Sequence, residues 1–266
     1  MTRTLQPLLS ILVAGALAGA SAGGLRAEDA GPPAAPPPGS PDFQPSAARP
    51  AGWRGDGSGR YAAATPPTTW SATGNILWKT EVGTGSSSPV VVGPRVLVTA
   101  EPDVLVCLDA ASGQELWRKA HKLSDLPADL KAAAPRQSEH YGDTTPTPVS
   151  DGKSVWVVFN TGIVACYDLE GKGRWLHWYD MRLATHYGRH ASPVLVGDRL
   201  LVHFGPLACL DAATGALLWK TDKAKATYGT PAPARIGGVD VVNTPKGHVV
   251  RVADGQILAS DLGNCM

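Results

Sequence analysis

The chain has 266 residues, with 24 Lys and Arg against 23 Asp and Glu and a formal net charge of +1. The two signs are interspersed, so there is no basic stripe of the kind phosphate backbones require, and nucleic acid is excluded as a partner. No stretch beyond the N-terminal leader reads as a stable membrane span.

Residues 1–27 have the layout of a secretory signal peptide: Arg3 at the front, an apolar run from Leu8 to Ala20, then small residues. Cleavage after Ala22 and cleavage after Ala27 both fit, with retention as an anchor as the alternative. The apolar run is shorter and richer in Gly and Ala than the roughly 20 apolar residues of a transmembrane helix. No Cys follows it to carry a lipid anchor, so the chain is read as exported, to the periplasm or the extracellular space. Residues 28–52, with Pro32-Pro-Ala-Ala-Pro-Pro-Pro38, read as a disordered linker. A lead-in over 53–85 follows, beginning Trp53-Arg-Gly-Asp-Gly-Ser-Gly59. Its Arg54-Gly-Asp56 is read as part of a turn rather than an adhesion signal.

From residue 86 to 262 a phrase repeats: Cys107-Leu-Asp-Ala-Ala-Ser-Gly-Gln-Glu-Leu-Trp117, Cys166-Tyr-Asp-Leu-Glu-Gly-Lys-Gly-Arg-Trp175 and Cys209-Leu-Asp-Ala-Ala-Thr-Gly-Ala-Leu-Leu-Trp219. A worn fourth copy has Asp254-Gly255 as its turn and no Trp. Each copy reads as a strand, a tight turn on Asp and Gly (Asp109 and Gly113, Asp168 and Gly171, Asp211 and Gly215), and a second strand carrying Trp. The turn glycines recur about every 40 residues after a longer first interval, which is the length of a four-stranded propeller blade. Upstream of each phrase stands a second element: Ser88-Pro, Thr147-Pro, Ser192-Pro and Thr230-Pro.

The first unit parses as strands at Ser88 to Val92, Arg95 to Thr99, Val104 to Asp109 and Glu115 to Lys119, an antiparallel meander lettered a to d. Blades are predicted at about 86–119, 143–179, 190–221 and 228–260, with an inter-blade insertion at 120–141 that can form two helical turns. A single such sheet cannot bury both faces, so blades must stack radially. Trp78, Trp117, Trp175 and Trp219 are expected to wedge against the next blade's turn, each indole N–H aimed at a backbone carbonyl. Asn75-Ile-Leu-Trp-Lys-Thr-Glu81 resembles a strand d without strands a to c before it. The predicted fold is therefore all-β: a β-propeller of about four four-stranded blades plus an orphan N-terminal strand, an open or incomplete disc with two raw faces. A truncated remnant of a longer propeller, or a partner chain supplying the missing strands, would account for it.

At these residues the chain resembles the PQQ-binding-like β-propeller repeat family, whose repeat carries an Ala-x-Asp-x-x-Thr-Gly-x-x-x-Trp docking motif. Asp109, Gly113 and Trp117, and Asp211, Thr214, Gly215 and Trp219, match it, and the likeness covers about residues 74 to 262. The resemblance implies two kinds of activity. Quinoprotein dehydrogenases of the family use pyrroloquinoline quinone and calcium, whereas scaffold members such as the BamB-like outer-membrane assembly factor bind no quinone. The dehydrogenases resemble larger discs with a vicinal Cys-Cys disulfide and a calcium site of Glu, Asn and Asp. This sequence has no adjacent cysteines and no such acidic set around one axis, so PQQ and calcium are not expected.

Cys107, Cys166 and Cys209 each stand two residues before the turn Asp, at equivalent places in different blades. Such sites should lie beyond the roughly 7 Å a disulfide tolerates, so three buried free thiols and an exposed Cys265 are predicted. Catalytic motifs are absent: there is no Gly-x-Ser-x-Gly elbow, Walker loop or Cys-x-x-Cys, and no complete tetrahedral metal set around His186 and His190.

The segments entering strand a share a Tyr-Gly, at Tyr141, Tyr187 and Tyr228. Together with His140, Asp143, His186, Arg189 and His190 they form a candidate ligand face, set against the plainer reading that Tyr-Gly packs each crossover. The expected function is a non-enzymatic, exported platform for a protein partner or small ligand, with a quinoprotein oxidoreductase as the competing reading.

Overall fold

Short runs of Val, Leu and Ile, punctuated by Gly and Pro turns, form sixteen strands among the described residues of the computed structural model, which are 35–122, 124, 144–179, 191–203, 205–225 and 228–263. The chain divides into two compact units, Met1–Ala35 and Pro36–Met266, and the fold described is that of the second. The expected signal peptide, most of the insertion and Cys265 lie outside the described residues.

The strands make four antiparallel sheets, each a four-stranded meander. Blade 1 holds β1 (Val90–Val92), β2 (Arg95–Ala100), β3 (Val104–Asp109) and β4 (Glu115–Ala120). Blade 2 holds β5 (Val149–Ser150), β6 (Ser154–Val158), β7 (Ile163–Asp168) and β8 (Gly173–Trp178). Blade 3 holds β9 (Val194–Val196), β10 (Arg199–His203), β11 (Leu207–Asp211) and β12 (Leu217–Thr221). Blade 4 holds β13 (Ala232–Ile236), β14 (Val239–Asn243), β15 (Val249–Arg251) and β16 (Ile257–Ala259). The first three strands a are shorter than the sequence parse because each begins after its Pro, which has no N–H to give a ladder.

The middle strands are near-continuous apolar runs because both of their faces are covered. β6 and the first five residues of β7 are buried throughout. The outer strands instead alternate, with β4 and β8 largely exposed. Three apolar cores lie between neighbouring blades. Leu97 and Leu105 of blade 1 meet Val155 and Val157 of blade 2, Val158 and Val164 meet Leu200 and Leu210 of blade 3, and Leu201 and Cys209 meet Val242 and Val250 of blade 4. No such core joins blade 4 to blade 1 among the described residues, so the propeller is open rather than closed.

Two expectations about the ends of the arc need correction. Asn75–Glu81 forms no ladder: with no strand c beside it, its backbone is unpaired within any sheet. Blade 1 also does not present a raw face, because Trp78 and Val82 cover Val96, Val104, Val106 and Leu108 there. The orphan segment thus sits where the strand d of a preceding blade would sit. Blade 4 keeps an exposed side, with Ile236 57% and Leu258 46% accessible.

Residues 36–52, expected as disordered linker, carry turns and fixed contacts. Arg49 donates through Nη2 to the Pro36 carbonyl at 2.7 Å, Phe43 packs on the core between blades 1 and 2, and Ala51 is buried. Composition alone misled here. Pro-rich chain has little backbone entropy left to lose, so a few contacts suffice to order it against a ready-made surface.

Candidate functional site

The recurring Asp, Gly and Trp build one device at each blade junction. Trp78 donates its indole N–H to the Ala110 carbonyl at 2.9 Å, Trp117 to Leu169 at 2.9 Å, Trp175 to Ala212 at 3.0 Å and Trp219 to Val252 at 2.9 Å. Each indole packs closely against the turn glycine of the following blade. A Cβ placed on Gly113 would come within 2.5 Å of Trp78, on Gly171 within 2.8 Å of Trp117, and on Gly255 within 2.6 Å of Trp219. At Gly215 the same position is shared by Trp175 and the His177 ring. These glycines all have φ between 72° and 81°, so both backbone conformation and close approach demand them.

The turn carboxylates hold the loop that receives the indole. Asp109 Oδ1 accepts from the Ser112 N–H and hydroxyl, and Asp211 Oδ1 from the same groups of Thr214, bonds that hold both carboxyls below their usual range. Asp168 Oδ1 accepts from the N–H groups of Glu170 and Lys172 in a turn one residue shorter. The fourth copy differs from its sequence reading. The backbone bonds Gly255 N–H to Arg251 O and Arg251 N–H to Gln256 O put Arg251, not Asp254, at the turn-Asp place. Asp254 answers Arg251 with a paired salt bridge at 2.5 Å, which depresses its carboxyl to about 2. Ala259 stands where the other blades carry Trp, opposite Val249, as Cys107 stands opposite Trp117.

Each junction is therefore structural, and the thiols belong to it. Cys107, Cys166 and Cys209 are buried and free, each opposite a docking Trp, and burial pushes their thiols up to about 11, about 12 and about 12. Sequence reasoning missed a fifth docking indole. Trp156, on strand b of blade 2, donates to the same Ala212 carbonyl as Trp175, at 2.8 Å. It lies outside the repeated phrase, so periodicity gave no sign of it.

Of the candidate ligand face, His140, Tyr141, Asp143, His186, Tyr187, Arg189 and His190 lie outside the described residues. Tyr228 is half-buried. Among the described residues no group of His, Cys, Asp and Glu is arranged to hold a metal ion.

The described surface with the most distinctive geometry is instead the inner edge of the blades, where the strands a run side by side. The Ser/Thr-Pro elements link them in a relay: Ser88 N–H donates to Thr147 Oγ1 at 3.1 Å, Thr147 N–H to Ser192 Oγ at 2.9 Å, and Ser192 N–H to Thr230 Oγ1 at 3.0 Å. Against this edge lies the segment 51–57, where the linker meets the lead-in. Ala51 and Ser150 exchange two backbone hydrogen bonds, at 2.9 and 2.8 Å, so the segment adds one bridge to β5. Gly52 rests on Val149 and Gly57 on the Pro233 ring. Arg54-Gly-Asp56 does lie in a tight turn, closed by the Gly52–Gly55 bridge. Between the segment and β1 a cleft of about 550 Å³ remains open.

The family described as "Outer membrane protein assembly factor BamB" matches residues 68–125 and 160–261, more than half of the chain. A curated relative, the outer membrane protein assembly factor BamB of Alkalilimnicola ehrlichii, is 29% identical over 182 residues, covering 66% of this chain and 43% of that protein. The crystal structure of BamB from Moraxella catarrhalis superposes with a TM-score of 0.50 at 18% identity, covering 72% of this chain and 56% of that one. A quinohemoprotein alcohol dehydrogenase from Pseudomonas putida HK5 overlaps more loosely, with a TM-score of 0.44 at 14% identity over 66% of this chain and 34% of that one. The chain thus spans about half the length of the BamB proteins it matches.

Proposed function

The chain belongs to the family of the outer membrane protein assembly factor BamB, and from that membership we propose that it is an exported, non-catalytic scaffold that holds other proteins during outer-membrane protein assembly. The observation that carries this reading is the use made of the repeat. Its Asp, Gly and Trp residues are spent on docking one blade to the next, through four indole-to-carbonyl bonds. What they leave available is a rigid run of strand edges and loops, the kind of surface on which proteins bind proteins. Export rests on the N-terminal layout of Arg3, the apolar run and the small residues after it. The absence of catalysis rests on the missing vicinal cysteines, and PQQ and calcium have no part in the reading.

Deleting the gene in its native host and comparing outer-membrane protein levels tests the proposal. The expected result is a reduced amount of assembled β-barrel proteins, restored by the gene supplied in trans. Unchanged levels would overturn the assembly role. In parallel, purified protein mixed with pyrroloquinoline quinone and calcium should show neither a bound-quinone spectrum nor dye-linked alcohol oxidation. Both signals together would establish the oxidoreductase reading instead.

A further inference from the structure

The four strands a occupy equivalent places in the repeat, yet their inner edges are in four different states. Counting back two residues from Gly93, Gly152 and Gly197, which turn strand a into strand b in the first three blades, or forward three from the Ser or Thr of each Ser/Thr-Pro element, gives Val91, Ser150, Leu195 and Pro233. Ser150 pairs with Val155 across the sheet and spends its own N–H and C=O outward, on Ala51. Val91 pairs with Val96 in the same register, one residue before the turn-closing pair of Val92 and Arg95. Because backbone groups alternate sides along a strand, its N–H and C=O also point away from β2 and toward the inner edge. In blade 4 the equivalent residue is Pro233, which has no N–H to offer. In blade 3 it is Leu195, only 2% accessible and packed in the core between blades 2 and 3. Of the three that carry an N–H, Val91 alone is exposed, at 59% accessible. No backbone hydrogen bond reaches it from beyond its own sheet among the described residues.

The cleft of about 550 Å³ lies along this edge. Phe43 of the segment before the lead-in, Tyr61 and Pro66 of the lead-in, and Pro89 and Val91 at the edge of blade 1 line it, and no charged side chain does. We propose that this cleft binds an extended, uncharged peptide segment of another protein, which adds as a strand to β1 through the backbone N–H and C=O of Val91. Its side chains, small or β-branched, rest on the rings of Phe43 and Tyr61. The chemistry is already present one blade away, where Ala51 of the chain's own Pro50-Ala51-Gly52 is held by Ser150 in the same manner. Strand addition takes its affinity from main-chain bonds and its preference from the pockets beside them. This deepens the scaffold reading and rests on it, by naming where a client chain is held and by which atoms.

The test uses the full chain and a fluorescein-labelled octapeptide of alternating Val and Thr, followed by fluorescence anisotropy. Saturable binding is expected. Val91→Pro should weaken it about tenfold, the worth of one main-chain hydrogen bond, with the unfolding midpoint unchanged because that N–H takes no part in the β1–β2 ladder. The same peptide methylated on alternate backbone nitrogens should bind the unaltered protein as weakly, a result independent of how the variant folds. Equal binding by Val91→Pro, or by the methylated peptide, overturns the proposal. So does binding seen only after removal of residues 1–34, which would identify the chain's own N-terminal segment as the occupant. None of these failures would restore outer-membrane protein levels in the deleted strain, so the scaffold reading and the peptide site fail separately.

Discussion

The hydroxyl oxygen of Ser192 accepts a hydrogen bond from the backbone N–H of Thr147 at 2.9 Å, joining the inner strands of blades 2 and 3. Both residues are only 2% accessible, so the N–H has no water to turn to. Ser192→Ala should cost about 1–3 kcal/mol by leaving that donor buried and unpaired. Ser88→Ala removes an exposed hydroxyl at the start of the relay and should stay within about 0.5 kcal/mol. Urea unfolding of the two variants side by side checks the contrast.

Trp117 and Trp70 offer a second comparison. Trp117 is wedged on Gly171 with its N–H on the Leu169 carbonyl, whereas Trp70 is 72% accessible. Trp117→Ala should destabilise by about 3 kcal/mol and Trp70→Ala by less than about 0.5 kcal/mol. Equal effects in chemical denaturation would remove the docking role.

Gly171 and Gly197 both have positive φ, 81° and 59°, but they differ in surroundings. An added methyl at Gly197 meets nothing within 4 Å, while at Gly171 it meets Trp117 at 2.8 Å. Gly197→Ala should therefore cost only the left-handed backbone term, about 1 kcal/mol. Gly171→Ala should cost clearly more, because it also pushes the indole off the turn, and its thermal midpoint should fall further.

The buried thiols predict an alkaline limb. In the unfolded chain they ionise near 9.0, and in the fold burial raises them to about 11 for Cys107 and about 12 for Cys166 and Cys209. A raised folded value means that the contribution is whole below pH 9 and lost as pH rises through 11 to 12. The denaturation midpoint should fall above pH 9, and less so in a Cys166→Val, Cys209→Val double variant. Site-resolved thiol labelling at pH 8 should leave all three unmodified until denaturant is added.

Asp254 predicts an acid limb of opposite sign. Its carboxyl is depressed to about 2 from 3.8 by Arg251, so its contribution is present above pH 4 and lost as pH falls through 2. Asp254→Asn should flatten stability between pH 4 and 2 relative to the parent, most visibly in the local hydrogen exchange of residues 251–256.

Much of this architecture was legible because the repeat is local chemistry written four times. Asp109 to Trp117 specifies a bulged turn, a left-handed Gly and a half-buried indole, and only a neighbouring blade can satisfy that combination. The turn at Arg251 was misread because Asp254-Gly255 looks like a turn pair in one dimension, while the backbone bonds that define the turn start four residues before the Gly. Trp156 was missed because its partner, the Ala212 carbonyl, belongs to another blade and carries no sequence signal of its own.

By itself the sequence determined the blade count, the meander, the four docking Trp of the repeat and the all-β class, since each follows from apolar runs, turn chemistry and period within some 40 residues. Only the tertiary structure decided where the non-repeating chain goes. Residues 36–66 and 75–82 have neither periodicity nor amphipathic alternation, and their places are set by surfaces that exist only once blades have stacked. Ala51 finds the edge of β5, Trp78 finds the turn of blade 1, and Val91 is left open. A strand edge is a property of a sheet and its neighbours, so which of four equivalent positions stays free cannot be read from the residues at those positions alone.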